Sequence, residues 1–199
     1  MKKFFLLSIL TFIVVSILLV IVFTNVKYNN NDSKIELSFE SGPFCDKNKE
    51  ILSQYSDQRI IFIDYSKPSF QKRLWVLEGD KVLLNCHVSH GKESGFIFAK
   101  DFSNQSGSNK SCLGNFKTSI VYEGKHGLSM KVIGLDKENS NTYQRAIVFH
   151  SADYATNNFL MTHGYIGRSL GCFVTSSENN QKIIDLTKQK KSLRVVVVN

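Results

Sequence analysis

Only four cysteines occur in 199 residues, Cys45, Cys86, Cys112 and Cys172, and no two form a Cys-x-x-Cys pair. That is too sparse for a disulfide scaffold, so the core has to come from apolar burial. No His-Glu-x-x-His or His-x-His motif occurs. His87 and His90 are three apart on an apparent strand end, and so point to opposite faces. A zinc peptidase therefore has little ligand support, and no metal is implied. Nucleic-acid motifs are absent too, so nucleic acid is not an expected partner. There is no internal repeat, and no lipobox precedes a cysteine.

The one long hydrophobic run fills residues 4–23, behind Lys2 and Lys3. Twenty residues at about 1.5 Å each span roughly the hydrocarbon core of a bilayer. The two lysines put the N-terminus in the cytoplasm and the remainder outside. A cleaved signal is the competing reading, but its apolar region is usually about 7–15 residues long and ends in a small-x-small site. Neither feature is present, so an anchor over residues 1–24 is preferred. Either way the rest is expected in the cell envelope, periplasmic or otherwise extracytoplasmic. Setting aside Lys2 and Lys3, the formal charge falls from +8 to +6, which suits anionic surroundings such as a wall or headgroups. Residues 25–45, with Asn29-Asn30-Asn31-Asp32-Ser33-Lys34, read as a polar linker, and residues 46–199 suffice for one domain.

Within that domain, residues 46–55 read as a short amphipathic helix and residues 59–65 as a β-rich apolar strand. Residues 73–77 and 82–88 read as a hairpin about Glu78-Gly79-Asp80-Lys81. Residues 113–122 and 128–135 form a second hairpin about residues 123–127. Residues 146–150 are a strand, 177–189 a helix capped by Ser177, and 193–198 the last strand. The expected class is mostly β, a β-sandwich or partly closed barrel with one or two short helices. Cys86 reads as a buried small hydrophobe. In an oxidising compartment the cysteines allow two bridges, or one bridge beside a reactive thiol.

Two segments carry chemistry. His150 closes the strand Ile147-Val148-Phe149-His150, followed by Ser151. Cys172 follows Gly171 in Gly167-Arg168-Ser169-Leu170-Gly171-Cys172. A thiol with a pKa of about 8.5 is a scarce nucleophile at neutral pH unless an imidazole takes its proton. Backbone N–H groups beside the nucleophile can hold the oxyanion that attack creates. Arg168 can grip a carboxylate bidentately. A cysteine beside a strand is more often core, and a strand-ending histidine is often merely hydrogen-bonded.

Those segments resemble the catalytic signature of the L,D-transpeptidases, in its divergent Gly-Arg-Ser-x-Gly-Cys form. The resemblance extends through Arg73-Leu74-Trp75-Val76, Val88-Ser89-His90-Gly91, Tyr122-x-Gly124-Lys125-His126-Gly127 and Arg145-Ala146-Ile147-Val148, over roughly residues 58–176. It implies Cys172 as nucleophile and His150 as base. Ser151 orients the histidine through its backbone, and Gly171 with Cys172 supplies oxyanion N–H groups. Arg168 and Ser169 shape a substrate pocket, to which glycine-flanked His90 and His126 can contribute as lining or supporting residues. The implied activity is a cysteine-dependent transpeptidase on peptidoglycan stem peptides, with carboxypeptidase trimming as a variant and no cofactor. Two departures stand out: Leu170 holds the position of a histidine, and Phe173-Val174 follow the cysteine. His163, nine residues before Cys172, is the rival base. A non-catalytic wall-binding module is the alternative function, whose mark would be loss of the nucleophile or base.

Overall fold

The computed structural model describes Pro43 and residues 45–199. The expected anchor, and all of the linker but its last few residues, lie outside the described residues. No helix among the described residues is long and apolar enough to cross a membrane.

Eight strands make one mixed sheet. They are β1 (Arg59–Asp64), β2 (Leu74–Glu78), β3 (Lys81–Cys86), β4 (Gly114–Gly124), β5 (Gly127–Gly134), β6 (Val148–Ser151), β7 (Phe173–Thr175) and β8 (Arg194–Val198), in the order β3-β2-β1-β8-β4-β5-β6-β7. The sheet is open, with β3 and β7 as its edges. Among the described residues three α-helices accompany it: α1 (Asp46–Ser53), α2 (Asn157–His163) and α3 (Ser177–Lys188). The mostly β class and both hairpins hold.

At its centre β1 runs parallel to β8 and antiparallel to β2. All but the first residue of β1 are buried, because both sheet faces are covered. Alternation then sorts the side chains. Ile61 and Ile63 join Val195, Val197, Leu74, Val76 and the α3 residues Ile183 and Ile184. Ile60 and Phe62 join Trp75, Leu77, Val196 and the α1 residue Leu52. Full burial of each such side chain contributes about 1.5–3 kcal/mol. Helix α3 begins where Ser176 Oγ accepts the Asn179 N–H, one residue before the expected cap.

Helix α2 is absent from the sequence expectation. It has no buried residue, so it leaves no apolar stripe to read. Thr156 caps its start and Gly164, at φ 78°, ends it in the left-handed conformation. All four cysteines are unbridged, and Cys86 and Cys112 are buried.

Candidate active site

Strand β6 pairs in parallel with β7, Phe149 opposite Phe173, His150 opposite Val174 and Ser151 opposite Thr175. One step back, the register sets Cys172 beside Val148. Phe149 and Phe173 turn into the core, their rings stacked at 4.9 Å. The period of two therefore puts Val148, His150, Cys172 and Val174 on the other face. His150 and Cys172 are diagonal neighbours on that face. Both line one cavity of about 550 Å³, together with Tyr122, Lys125, His126 and Arg145.

His150 Nδ1 is 3.1 Å from the Ser151 carbonyl, which can only accept, so Nδ1 carries the hydrogen. Nε2 is then a free lone pair, with no hydrogen-bond partner among the described residues. Burial holds the His150 pKa below the usual imidazole range; the Ser151 carbonyl opposes that, while His126 and Lys125 reinforce it. Burial also pushes the Cys172 thiol up, opposed by the Val148 N–H and by Arg145 and Lys125. The pair therefore rests as neutral thiol and neutral imidazole. At rest the thiol donates to the Ala146 carbonyl at 3.6 Å. Ala146 itself is held at φ 52°, a conformation costing a non-glycine residue about 1–2 kcal/mol.

Ser169 organises the turn before Cys172. Its Oγ donates to the Cys172 carbonyl at 2.8 Å and accepts the Gly171 N–H at 3.0 Å. Gly171, expected as an oxyanion donor, thus has its N–H committed to Ser169 Oγ. The glycine serves shape instead: φ is 117°, and a Cβ would meet the Lys110 carbonyl at 2.8 Å. Arg168 stands at the rim, 4.9 Å over the Phe96 ring, donating to the Lys92 and Gly95 carbonyls.

His90 is placed elsewhere. It is 0% exposed and does not line the cavity. Arg73 donates to its Nδ1 at 2.7 Å, and its Nε2–H donates to the Gly95 carbonyl at 3.2 Å. Desolvation, with Arg73 adding to it, holds its pKa down to about 4. Its backbone supports the site, since the His90 carbonyl accepts the Ser169 N–H at 2.9 Å and the Lys92 N–H donates to the Ser169 carbonyl at 2.8 Å. His163 lies on exposed α2, stacked at 3.9 Å on Phe159, and outside the cavity lining.

The sequence reading did not single out Arg145, Lys125 or Tyr154 for the site. Arg145 is pinned by the Ser103 carbonyl at 2.6 Å and the Lys110 carbonyl at 2.5 Å, with Cys112 Sγ at 3.3 Å. Lys125, Arg145 and Arg168 line the cavity and, among the described residues, no carboxylate does, so the cavity favours an anionic ligand. The one available signal was that Lys125 and Arg145 lie inside matched segments. Among the described residues no three histidine, cysteine or acidic side chains converge as metal ligands.

A model of the L,D-transpeptidase catalytic domain matches residues 41–195. No curated protein sequence matches. Similar solved structures include an L,D-transpeptidase from Xylanimonas cellulosilytica, at 14% identity and TM-score 0.44, covering 76% of this chain and 69% of that one. An L,D-transpeptidase from Mycobacterium smegmatis is similar at 15% identity and TM-score 0.42, covering 70% and 58%. The helical cell shape determining protein Pgp2 from Campylobacter jejuni is similar at 14% identity and TM-score 0.45, covering 72% and 48%. The chain thus spans less than two thirds of the length of the last two. With the family match running over most of its residues, the chain belongs to the L,D-transpeptidase catalytic domain family.

Proposed function

We propose that this chain is a peptidoglycan L,D-transpeptidase working through a thioester on Cys172, outside the cytoplasm and tethered by residues 1–24. The observation that carries the reading is the β6–β7 register, which sets His150 and Cys172 on one face and in one cavity. His150 Nε2 takes the thiol proton as Sγ attacks the carbonyl of an L-centre in a stem peptide. The oxyanion meets the Cys172 N–H, a donor whose kind is worth about 3–4 kcal/mol of barrier. His150 returns the proton to the departing terminal D-amino acid, and a thioester remains. An amine of another stem, a free D-amino acid or water then resolves it, giving a cross-link, an exchange or a trimmed stem. Stem peptides carry carboxylates, which suits the cationic lining supplied by Lys125, Arg145 and Arg168.

Intact-mass measurement of the detergent-solubilised protein with a tetrapeptide-bearing muropeptide, or with a carbapenem, tests this. The parent gains an acyl adduct and Cys172→Ser does not. An adduct that survives in Cys172→Ser, or turnover that does, would sink the assignment.

A further inference from the structure

His126 stands in the cavity wall with no part in the steps just described. The β4–β5 hairpin turns through Lys125 and His126 between the paired residues Gly124 and Gly127, and Gly127 takes the left-handed φ of 72°. Antiparallel pairing of Met130 with Phe149 and Lys131 with Val148, carried one step on, brings Ser129 beside His150. The hairpin tip therefore overhangs the end of β6 that bears His150. There the two imidazoles lie nearly parallel, centroids 4.4 Å apart and planes at 21°. His126 is exposed where His150 is buried, and its ring nitrogens have no hydrogen-bond partner among the described residues. Ring lone pairs lie in the ring plane, so stacked rings do not pass a proton directly to each other. They are two separate proton acceptors on one cavity.

The chemistry of the second half-reaction has work for both. This step rests on the thioester proposed above. His150 has by then given its proton to the leaving amine and is neutral again. An amino-acid amine arrives at neutral pH as an ammonium ion, with no lone pair. It must lose one proton before attack and a second as the amide forms, and a single imidazole holds only one. Lys125, Arg145 and Arg168 are cations, Glu123 of the same hairpin does not line the cavity, and Tyr122 and Tyr154 are phenols, the latter pushed up to about 12 mainly by burial. Among the described residues His126 is the remaining base in the lining.

We propose that His126 is the acceptor-side base. It takes the first proton from the incoming ammonium and, being exposed, gives it to water. The freed amine forms its N–C bond to the acyl carbon as the C–S bond breaks. His150 takes the second proton and delivers it to the departing Cys172 sulfur. One proton goes to bulk water, and thiol and both imidazoles are restored.

The test separates the half-reactions. The full chain and His126→Phe, which keeps an aromatic ring against His150, are acylated with the muropeptide, and adduct formation is timed by intact mass. The acyl-enzymes are then chased with D-methionine, which arrives as ammonium, or with hydroxylamine, which is unprotonated at neutral pH. His126→Phe is expected to lose about tenfold or more of its D-methionine aminolysis relative to its acylation rate. Hydrolysis should take up the difference, and hydroxylamine aminolysis should fall far less. Undiminished D-methionine aminolysis overturns the proposal. Equal losses in acylation and in both chases also overturn it, because His126 would then only hold His150 in place. A parent that never acylates is seen before any chase, and brings down the Cys172 assignment and this inference together.

Discussion

His90 and His150 sit in two regions that share a wall, and the two side chains are alike by burial. They are 0% and 5% exposed, and both are held below the usual imidazole pKa chiefly by desolvation. Their bonds differ. His90 spends both ring nitrogens, one on Arg73 and one on the Gly95 carbonyl, under the turn that Ser169 organises. His150 spends one, on the Ser151 carbonyl, and turns the other to a cavity that holds a thiol. Arg73 repeats the lesson: it is 0% exposed and donates to the Val88 and Lys67 carbonyls and to His90 Nδ1, a buried cation whose donors are spent on fixed partners. Burial therefore does not tell the two apart. An uncommitted ring nitrogen on a residue that lines a cavity with Cys172 does.

The largest expected effect breaks the comparison at His150. His150→Ala removes the proton acceptor and should slow acylation of Cys172 about 10²–10⁴-fold, with a thermal midpoint close to the parent's. His90→Ala should do the reverse, lowering the midpoint clearly by stranding a buried Arg73 donor. What acylation it loses should track loss of folded protein. Timed adduct formation beside a melt of each variant checks both. Equal rate losses in both variants would erase the distinction.

A smaller effect sharpens it through pH. The folded His90 pKa of about 4 lies below the unfolded value of about 6.5. Above about 6.5 neither state binds this proton, and the full contribution to stability is present. As pH falls from there towards about 4, the unfolded chain takes up the proton and the folded one does not. Stability drops by up to about 3 kcal/mol across that window, and His90 adds no further loss below it. His87 and His150, also held down by burial, act in the same direction. Denaturant unfolding at pH 7 and pH 4.5 should show this fall, and His90→Gln should flatten it. Equal slopes in parent and variant would remove His90 as its source.

Much of the architecture was legible because most strands are half-buried or β-branched runs bounded by turn residues. Residues 59–65 and 193–198 announce strands by composition, and Gly79 and Gly124 mark hairpin tips. Helix α2 was not legible, because in seven residues none is fully buried and only Leu160 packs partly against Ala155, Ile166 and Val174, too little for an apolar period. The candidate site was legible only in part. His150 and Cys172 stand out as residue types beside apolar runs, but they come onto one face and one cavity through a parallel pairing closed across a long crossover, which no local pattern encodes. His90 looked available for substrate because glycine follows it. Its partner Arg73 lies seventeen positions upstream, and that contact exists only once β2 and the segment after β3 have packed. The committed N–H of Gly171 is likewise a consequence of the Ser169 side-chain rotamer rather than of spacing.

The smallest expected effect concerns His163, which in sequence rivals His150 by standing nearer the cysteine and before a glycine. In the fold it occupies the last turn of α2, with Nδ1 3.0 Å from the Phe159 carbonyl and its ring flat on Phe159. It is exposed, and removing it strands no buried group. His163→Ala should therefore change stability by about 0.5 kcal/mol or less. Acylation of Cys172 should stay within about twofold, against the 10²–10⁴-fold loss expected for His150→Ala. A large loss on removing His163, measured by the same timed adduct assay, would mean that α2 swings over the cavity when substrate binds. That result would move the base from the strand to the helix.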